Sequence, residues 1–338
     1  MKSPSIGLAI VGCGNVAARH AQAIADVDRV RLVTVFDLDS ARASDLASQH
    51  GVEPASGYAE LLERPGVDAV LVTTPATAHA EVALPAIESG KHVLLEKPID
   101  VDLERARALL AAAEDHDKIL SVVSQNRFHD DVLWARRALT SGVLGRPILI
   151  TAFSLWSRDQ QYYDAAPGRG RHDAREGGVL LNQGVHYLDL MLWLFGRPRT
   201  VSGHRGLLTH EIAGEDTLTL SLEFESGAMG TFQASTSVFP QQPERIEVRC
   251  SKGGFTLCGG CATDWKWRDE IDLDPPPSAS AGSEPDRLEP FRRQHRDFAD
   301  AILEARPPLV TAREAFDVLA LIQTVYQSPD PVARVQPA

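Results

Sequence analysis

The stretch Ile6-Gly7-Leu8-Ala9-Ile10-Val11-Gly12-Cys13-Gly14-Asn15-Val16-Ala17 decides the fold. An apolar run of strand length stops at a glycine, and a helix-forming segment opens just beyond the second glycine. The pattern is G-x-G-x-x-A. Its first glycine permits a tight turn, its second lets a pyrophosphate approach the main chain, and the small Ala17 lets helix and strand pack closely. Alone it also suits a plain strand–helix turn. The supporting signal is Asp37, which closes the next strand. A carboxylate there can bond both ribose hydroxyls of an adenosine and would repel a 2′-phosphate, so the pair reads as an NAD site rather than an NADP site. The competing reading of Asp37 is a cap for the helix that begins near Ser40, where Asp39 also stands ready.

Working outward, Ile6–Val11, Val30–Phe36, Ala69–Thr73, His92–Leu95 and Leu120–Val123 read as buried strands. Between them Ala17–Ala25, Ser40–His50, Ala80–Ser89 and Leu103–Asp115 have helical composition and spacing. Such alternation builds βαβ units and a doubly wound parallel sheet covered on both faces. The second half changes character. Residues 147–157, 216–224, 230–238 and 245–250 alternate apolar and polar side chains, as strands with one solvated face do. One helix, 178–195, interrupts them, and two more follow near Arg292–Glu304 and Ala312–Tyr326. The fold class is therefore α/β: a Rossmann domain over 1–123, then an α+β domain over 124–338 with a large, mostly antiparallel open sheet. The C-terminal helices have the option of packing back on the first domain.

Bulk properties narrow the function. The chain has 338 residues, 43% of them hydrophobic, and a net charge of −12. That acidity argues against a sequence-independent grip on nucleic acid, and no apolar run is long enough to span a membrane. The N-terminus does not read as a secretory signal, so a cytoplasmic location is expected. Cys258-Gly259-Gly260-Cys261 has the spacing of half a zinc site or a redox pair, but Gly-Gly between two strand-like runs is also a hairpin turn. The hairpin is the reading taken here, reduced and metal-free.

The run His92-Val93-Leu94-Leu95-Glu96-Lys97-Pro98 ends a strand of the first sheet on an acid, a base and a proline. Ligands bind outside the carboxyl ends of such strands, so Glu96 and Lys97 are expected at the cofactor rather than in a surface ion pair. Here the sequence resembles a family. Gly12-x-Gly14-x-x-Ala17, Asp37, "VTTPATAH" (72–79), "EKP" (96–98), "NRF" (126–128) and "GGVLLNQGVHYLDL" (177–190) together resemble the Gfo/Idh/MocA oxidoreductases. The resemblance runs over nearly the whole chain. It implies that Lys97 lies between nicotinamide and substrate, that Lys97–Pro98 is a cis bond, that Thr73, Pro75 and His79 line the cofactor site with Asn15 and Val16, and that Glu96 holds the nicotinamide ribose. It places Arg127 among the substrate contacts.

Asn182 and His186 lie four apart on the 178–195 helix and so share a face. Many relatives carry Asp at the earlier position, where it polarises the imidazole as a base. An amide orients His186 without stabilising its cation, which shifts weight to Lys97 as the proton acceptor. Asp189 is either a substitute partner for His186 or an outward helix charge. Asn182 beside Gln183 is similar to members that oxidise nucleotide-linked sugars. Their resemblance extends to residues 154–178, where Trp156, Arg158, Tyr163 and Arg169 are expected at the substrate. The alternative places Trp156 and the tyrosines in sheet packing or an oligomer interface.

The leading reading is an NAD-dependent dehydrogenase acting on a secondary alcohol of a sugar, inositol or nucleotide sugar, as a homodimer or homotetramer. Two alternatives stay open: a redox-neutral NAD-dependent glycosidase, and a sugar-sensing binding protein without chemistry.

Overall fold

A computed structural model describes residues 4–165, 177–268, 273–277 and 286–328. The chain divides into two compact units, Met1–Phe128 with Glu284–Leu319, and His129–Ser283 with Ala320–Ala338. The segment Glu284–Leu319 thus belongs with the first unit although it follows the second sheet in sequence.

The first unit holds a six-stranded parallel sheet: β1 (Ile6–Val11), β2 (Val30–Phe36), β3 (Glu53–Pro54), β4 (Ala69–Val72), β5 (His92–Leu95) and β6 (Leu120–Val122), ordered β3-β2-β1-β4-β5-β6. All six residues of β1 are buried, as expected for a central strand with helices on both faces. The order reverses between β1 and β4, which opens a ligand crevice at the carboxyl ends of those strands. Helix α1 (Asn15–Ala25) turns Ala17, Ala21 and Ile24 inward. Helix α2 (Ser40–His50) is capped by Asp39, whose side chain accepts from the Ala41 N–H, so the capping task does not fall to Asp37. Helices α3 (Tyr58–Glu63), α4 (His79–Glu88) and α5 (Leu103–Asp115) follow.

In the second unit, α6 (Asp130–Thr140) precedes β7 (Pro147–Leu155), α7 (Gln160–Asp164) and α8 (Val185–Phe195). Then come β8 (Pro198–Gly206), β9 (Thr217–Phe224), β10 (Met229–Ser235), β11 (Arg245–Cys250), β12 (Gly253–Cys258) and β13 (Cys261–Trp267). These seven strands make one sheet ordered β13-β12-β11-β7-β10-β9-β8. Only β7 and β10 run parallel. Alternate residues of β9 face inward, Leu218, Leu220, Leu222 and Phe224 being buried while Thr219 and Ser221 are exposed. Helix α8 is buried almost all round against this sheet. The β12–β13 hairpin pairs Cys258 with Cys261 across Gly259 and Gly260, both at positive φ (56° and 88°). That is the backbone of a two-residue type I′ turn, and the cysteines are free thiols.

Helix α9 (Glu289–Leu303) belongs to the first unit, where Phe291, Phe298 and Ala299 join the core formed with β1 and α1. Helix α10 (Ala312–Gln327) ends the described chain. No described helix is long and apolar enough to cross a membrane.

Candidate active site

The carboxyl end of β1 is built around Gly12, at φ +94°. A Cβ there would sit 2.9 Å from the carbonyl group of Thr73, so only glycine lets the loops after β1 and β4 close together. Thr73 secures that closure by donating from Oγ1 to the Gly12 carbonyl at 2.6 Å. Gly14, by contrast, has open space in front of it. Helix α1 starts there with no side-chain cap and no acidic residue in its first turn. Its N–H groups and the positive end of its dipole are therefore directed at an anion approaching over Gly14. Asn15 and Val16, next in the chain, are exposed.

Asp37 stands half-buried beside the turn. Its Oδ2 accepts the Cys13 N–H at 2.6 Å and its Oδ1 accepts the Asp39 N–H at 2.8 Å. Each oxygen keeps a lone pair for a ribose hydroxyl. Burial, then the Asp37 charge, raises the Cys13 thiol to about 12, which keeps it protonated and unreactive. Thr74, a residue the sequence reading passed over, carries a buried Oγ1 that has no partner within the protein. An open glycine cradle, an uncapped helix start and an orphaned hydroxyl together fit a dinucleotide.

At the end of β5, Lys97–Pro98 is cis, as the resemblance implies. Glu96 is held from two sides: its Oε2 accepts the Lys97 N–H at 2.9 Å, and its Oε1 lies 3.0 Å from His20 Nε2. Lys97 is half-buried and Pro98 buried. His79, expected to line the cofactor site, is buried. Its side chain is 1% exposed, with Nδ1 2.8 Å from the Pro98 carbonyl and Nε2 3.1 Å from the Thr74 carbonyl. It ties together the loops after β4 and β5 from behind, and burial pulls its pKa down. Pro75, in the same loop, is exposed.

In the second unit, a π-helical turn (Leu180–Gly184) leads into α8. From Val179 to Leu194 every residue is buried except Asn182, Gln183 and His186, which are half-exposed. The sequence around them is apolar, so these polar side chains mark the one solvent-facing patch of the segment. Asn182 Nδ2 donates to the carbonyls of Gly177 and Gly178, each at 3.1 Å. Gly178 is demanded by Glu215, whose carbonyl oxygen would lie 2.0 Å from a Cβ there, and Gly177, at φ +72°, by Leu181, whose side chain would lie 2.5 Å from one. Glu215 is buried and accepts the Leu180 N–H at 2.9 Å, and burial raises its pKa. It shapes the π turn that carries Asn182, yet nothing local in the sequence singles it out. Asp189 is 5% exposed, so it is not an outward helix charge.

Near by in sequence, the Arg158 guanidinium lies 4.6 Å from the Trp156 ring centroid and 5.1 Å from that of Tyr162. Its Nη1 donates to Ser157, and its Nε is buried with no partner in the protein. Trp156 spends its own N–H on Ser154 and Glu244. Tyr163, expected at the substrate, is 3% exposed and donates to Thr236 at 2.7 Å. Alternation along the short helix α7 gives the half-exposed position to Tyr162, whose hydroxyl accepts from Gln183. Arg127, also expected at the substrate, is 1% exposed, with Nη1 2.8 Å from Glu314 in the first unit. Arg169 lies outside the described residues.

The glycine turn, Asp37 and the cis Lys97–Pro98 corner define an α/β dinucleotide-binding domain. Residues 6–124 match the oxidoreductase family with an NAD-binding Rossmann fold, and residues 132–256 match the GFO/IDH/MocA C-terminal domain. The chain belongs to the Gfo/Idh/MocA family of NAD-dependent oxidoreductases. It is 32% identical to scyllo-inositol 2-dehydrogenase (NAD(+)) of Bacillus subtilis over 74% of this chain and 72% of that protein. It is 30% identical to D-glucoside 3-dehydrogenase of Escherichia coli over 76% of this chain and 78% of that one. Among solved structures, the WlbA dehydrogenase from Bordetella pertussis, in complex with NADH and UDP-GlcNAcA, superimposes with a TM-score of 0.85 at 27% identity. That match covers 97% of this chain and 96% of the other.

Proposed function

We propose that the protein oxidises one secondary hydroxyl of a sugar-type substrate, with Lys97 as the principal proton acceptor and His186 as a second acid–base group. When bound, NAD supplies the hydride acceptor. A carbinol carbon releases hydride only as its hydroxyl proton departs, so a titratable group must take that proton. Lys97 stands beside the cofactor end of β5, where a positive nicotinamide would lower the ammonium's pKa and prepare it as a base. His186 contributes from α8, and Asn182 orients without titrating. The observation that carries this reading is the confinement of half-exposure on α8 and its π turn to Asn182, Gln183 and His186.

In this proposal Gly12, Gly14, Asn15, Val16, Thr73, Pro75 and Pro98 form the NAD site with Asp37 and Glu96. Residues 1–123 form the cofactor domain, on which α9 of the C-terminal segment packs back, and the rest of 124–338 forms the substrate domain. Trp156, Arg158, Arg169 and Tyr162 contact substrate. Inositol and glucoside relatives favour a free polyol or sugar, while the structural match to WlbA favours a nucleotide sugar bearing a carboxylate. The Trp156–Arg158–Tyr162 stack supports the second option, because its guanidinium keeps an unpartnered Nε for an anion. A panel of polyols, sugars and nucleotide sugars with NAD, followed at the reduced-nicotinamide absorbance, tests the reading. NADH formation with a member of the panel is expected. Cofactor that stays bound and unreduced while a glycosidic bond is cleaved would favour the redox-neutral alternative. Binding without turnover across the panel would favour a sensor.

The enzyme acts in the cytoplasm as a homodimer or homotetramer that uses the open face of its second sheet. Leu149 and Met229, neighbours in the β7–β10 register, are 45% and 62% exposed on that sheet, an apolar patch suited to a second copy. Light scattering is expected to exceed the 36.7 kDa of one chain, and a monomer at micromolar concentration would contradict this.

A further inference from the structure

Behind Glu96 lies a chain of two histidines that no motif of the reaction uses. His20 Nε2 is 3.0 Å from Glu96 Oε1, and His20 Nδ1 is 2.8 Å from His295 Nε2. His20 comes from α1 and His295 from α9, and each is 1% exposed. We propose that His20 and His295 are positioning residues that orient the Glu96 carboxylate, as an acceptor-only anion, toward the nicotinamide ribose of bound NAD. This rests on the role proposed above for Glu96.

The hydrogen-bond pattern allows one arrangement of protons for a neutral pair. A carboxylate only accepts, so His20 Nε2 carries a proton and donates it to Glu96. A neutral His20 then has a bare Nδ1, which must accept from His295 Nε2–H. His295 Nδ1 is left as a bare acceptor, and it is indeed buried without a partner in the structure. Burial, then the neighbouring His20, holds His295 well below its ordinary pKa, which keeps His295 neutral. An apolar side chain at 295 would fill the core without stranding a nitrogen. A buried unsatisfied atom of this kind calls for a reason, and the reason is the N–H on the other side of the ring. It fixes the tautomer of His20, as a second group does for many functional histidines.

The consequence falls on Glu96. The terminal torsion of a glutamate is broad. With Lys97 N–H on one oxygen and His20 N–H on the other, the carboxylate plane is set before the cofactor arrives. Phe291 holds the His20 ring edge-on at 5.1 Å between centroids. Pre-setting the acceptor lowers the ordering cost of binding.

The test compares two polar replacements of similar size. At position 20 the amide of Gln reaches as far as Nε2 of the imidazole, whereas the amide of Asn reaches only as far as Nδ1. NADH is titrated by fluorescence into the unmodified protein, His20→Gln, His20→Asn, His295→Leu, the double variant His20→Asn/His295→Leu, and Glu96→Gln, with thermal unfolding recorded for each. Expected are a 10- to 100-fold weaker NADH complex for Glu96→Gln and His20→Asn, roughly the scale seen when the group orienting a functional side chain is lost. His20→Gln should stay within about threefold of the unmodified protein, since its donor is kept. His295→Leu should weaken binding on its own but add nothing to His20→Asn, since the two act in series. If Glu96→Gln weakens binding while His20→Asn does not, the histidine chain has no positioning role and the reading of Glu96 survives. Equal losses in His20→Gln and His20→Asn would show a merely structural role and overturn the proposal. Unaltered binding in Glu96→Gln overturns both.

Discussion

The main-chain N–H of Cys13 donates to Oδ2 of Asp37 at 2.6 Å. The carboxylate that closes β2 therefore braces the glycine turn that follows β1, and in the proposed NAD site the same residue would accept the adenosine ribose hydroxyls. A 2′-phosphate would meet this fixed negative charge at close range. NAD is accordingly expected to bind more tightly than NADP, and Asp37→Ser should narrow or reverse the preference. Dissociation constants for the two cofactors check this. A preference for NADP in the unmodified protein would contradict it.

Asn182→Asp should move the pH–rate profile. A carboxylate in the π turn four residues before His186 favours the imidazolium and raises its pKa. A base works only when deprotonated, so the acid limb of the rate profile should shift to higher pH. An unchanged acid limb, measured on the protein's substrate with saturating NAD, would remove His186 from proton transfer.

Asp216 supports the second sheet. Burial alone would push its carboxyl up, but the N–H groups of Thr209 and Leu208, the Ser237 hydroxyl and the His210 N–H outweigh it and hold the pKa at about 2, below the ordinary 3.8. A carboxyl depressed in the folded state stabilises it above the unfolded pKa, and that stability is lost as pH falls through the folded one. Unfolding free energy should therefore drop by roughly 2 kcal/mol between about pH 4 and pH 2 from this group. Asp216→Asn should be less stable at neutral pH by a similar amount and show a flatter response over that window. Denaturant melts at several pH values check both, and parallel acid responses in the two proteins would refute the assignment.

Much of this architecture is legible in the sequence because its signals are local. The strands β1, β2 and β5 and the helices α2 and α5 appear where apolar runs, caps and glycines put them, and the Gly-Gly hairpin follows from its turn chemistry. What escaped has weak local patterning. β8 is an edge strand with most of its residues exposed or half-exposed, so it lacks a clean alternation, and β3 has two residues, one of them proline. The helix read across 178–195 opens with a π turn because Glu215, distant in sequence, takes the Leu180 N–H. In the candidate site, the motif-borne Gly12, Asp37 and Lys97–Pro98 were readable. The inward turn of Tyr163, the burial of His79 and Arg127, and the His20–His295 chain depend on tertiary packing, which no spacing rule encodes.

The role of Lys97 is the centre of the account, and Lys97→Met tests it most directly. The turnover of this variant is measured with the substrate found by the sugar panel, beside its NADH affinity. Expected are an affinity close to that of the unmodified protein and a turnover at least about 100-fold lower, the scale for losing a general acid–base group. Turnover at the unmodified rate would contradict it.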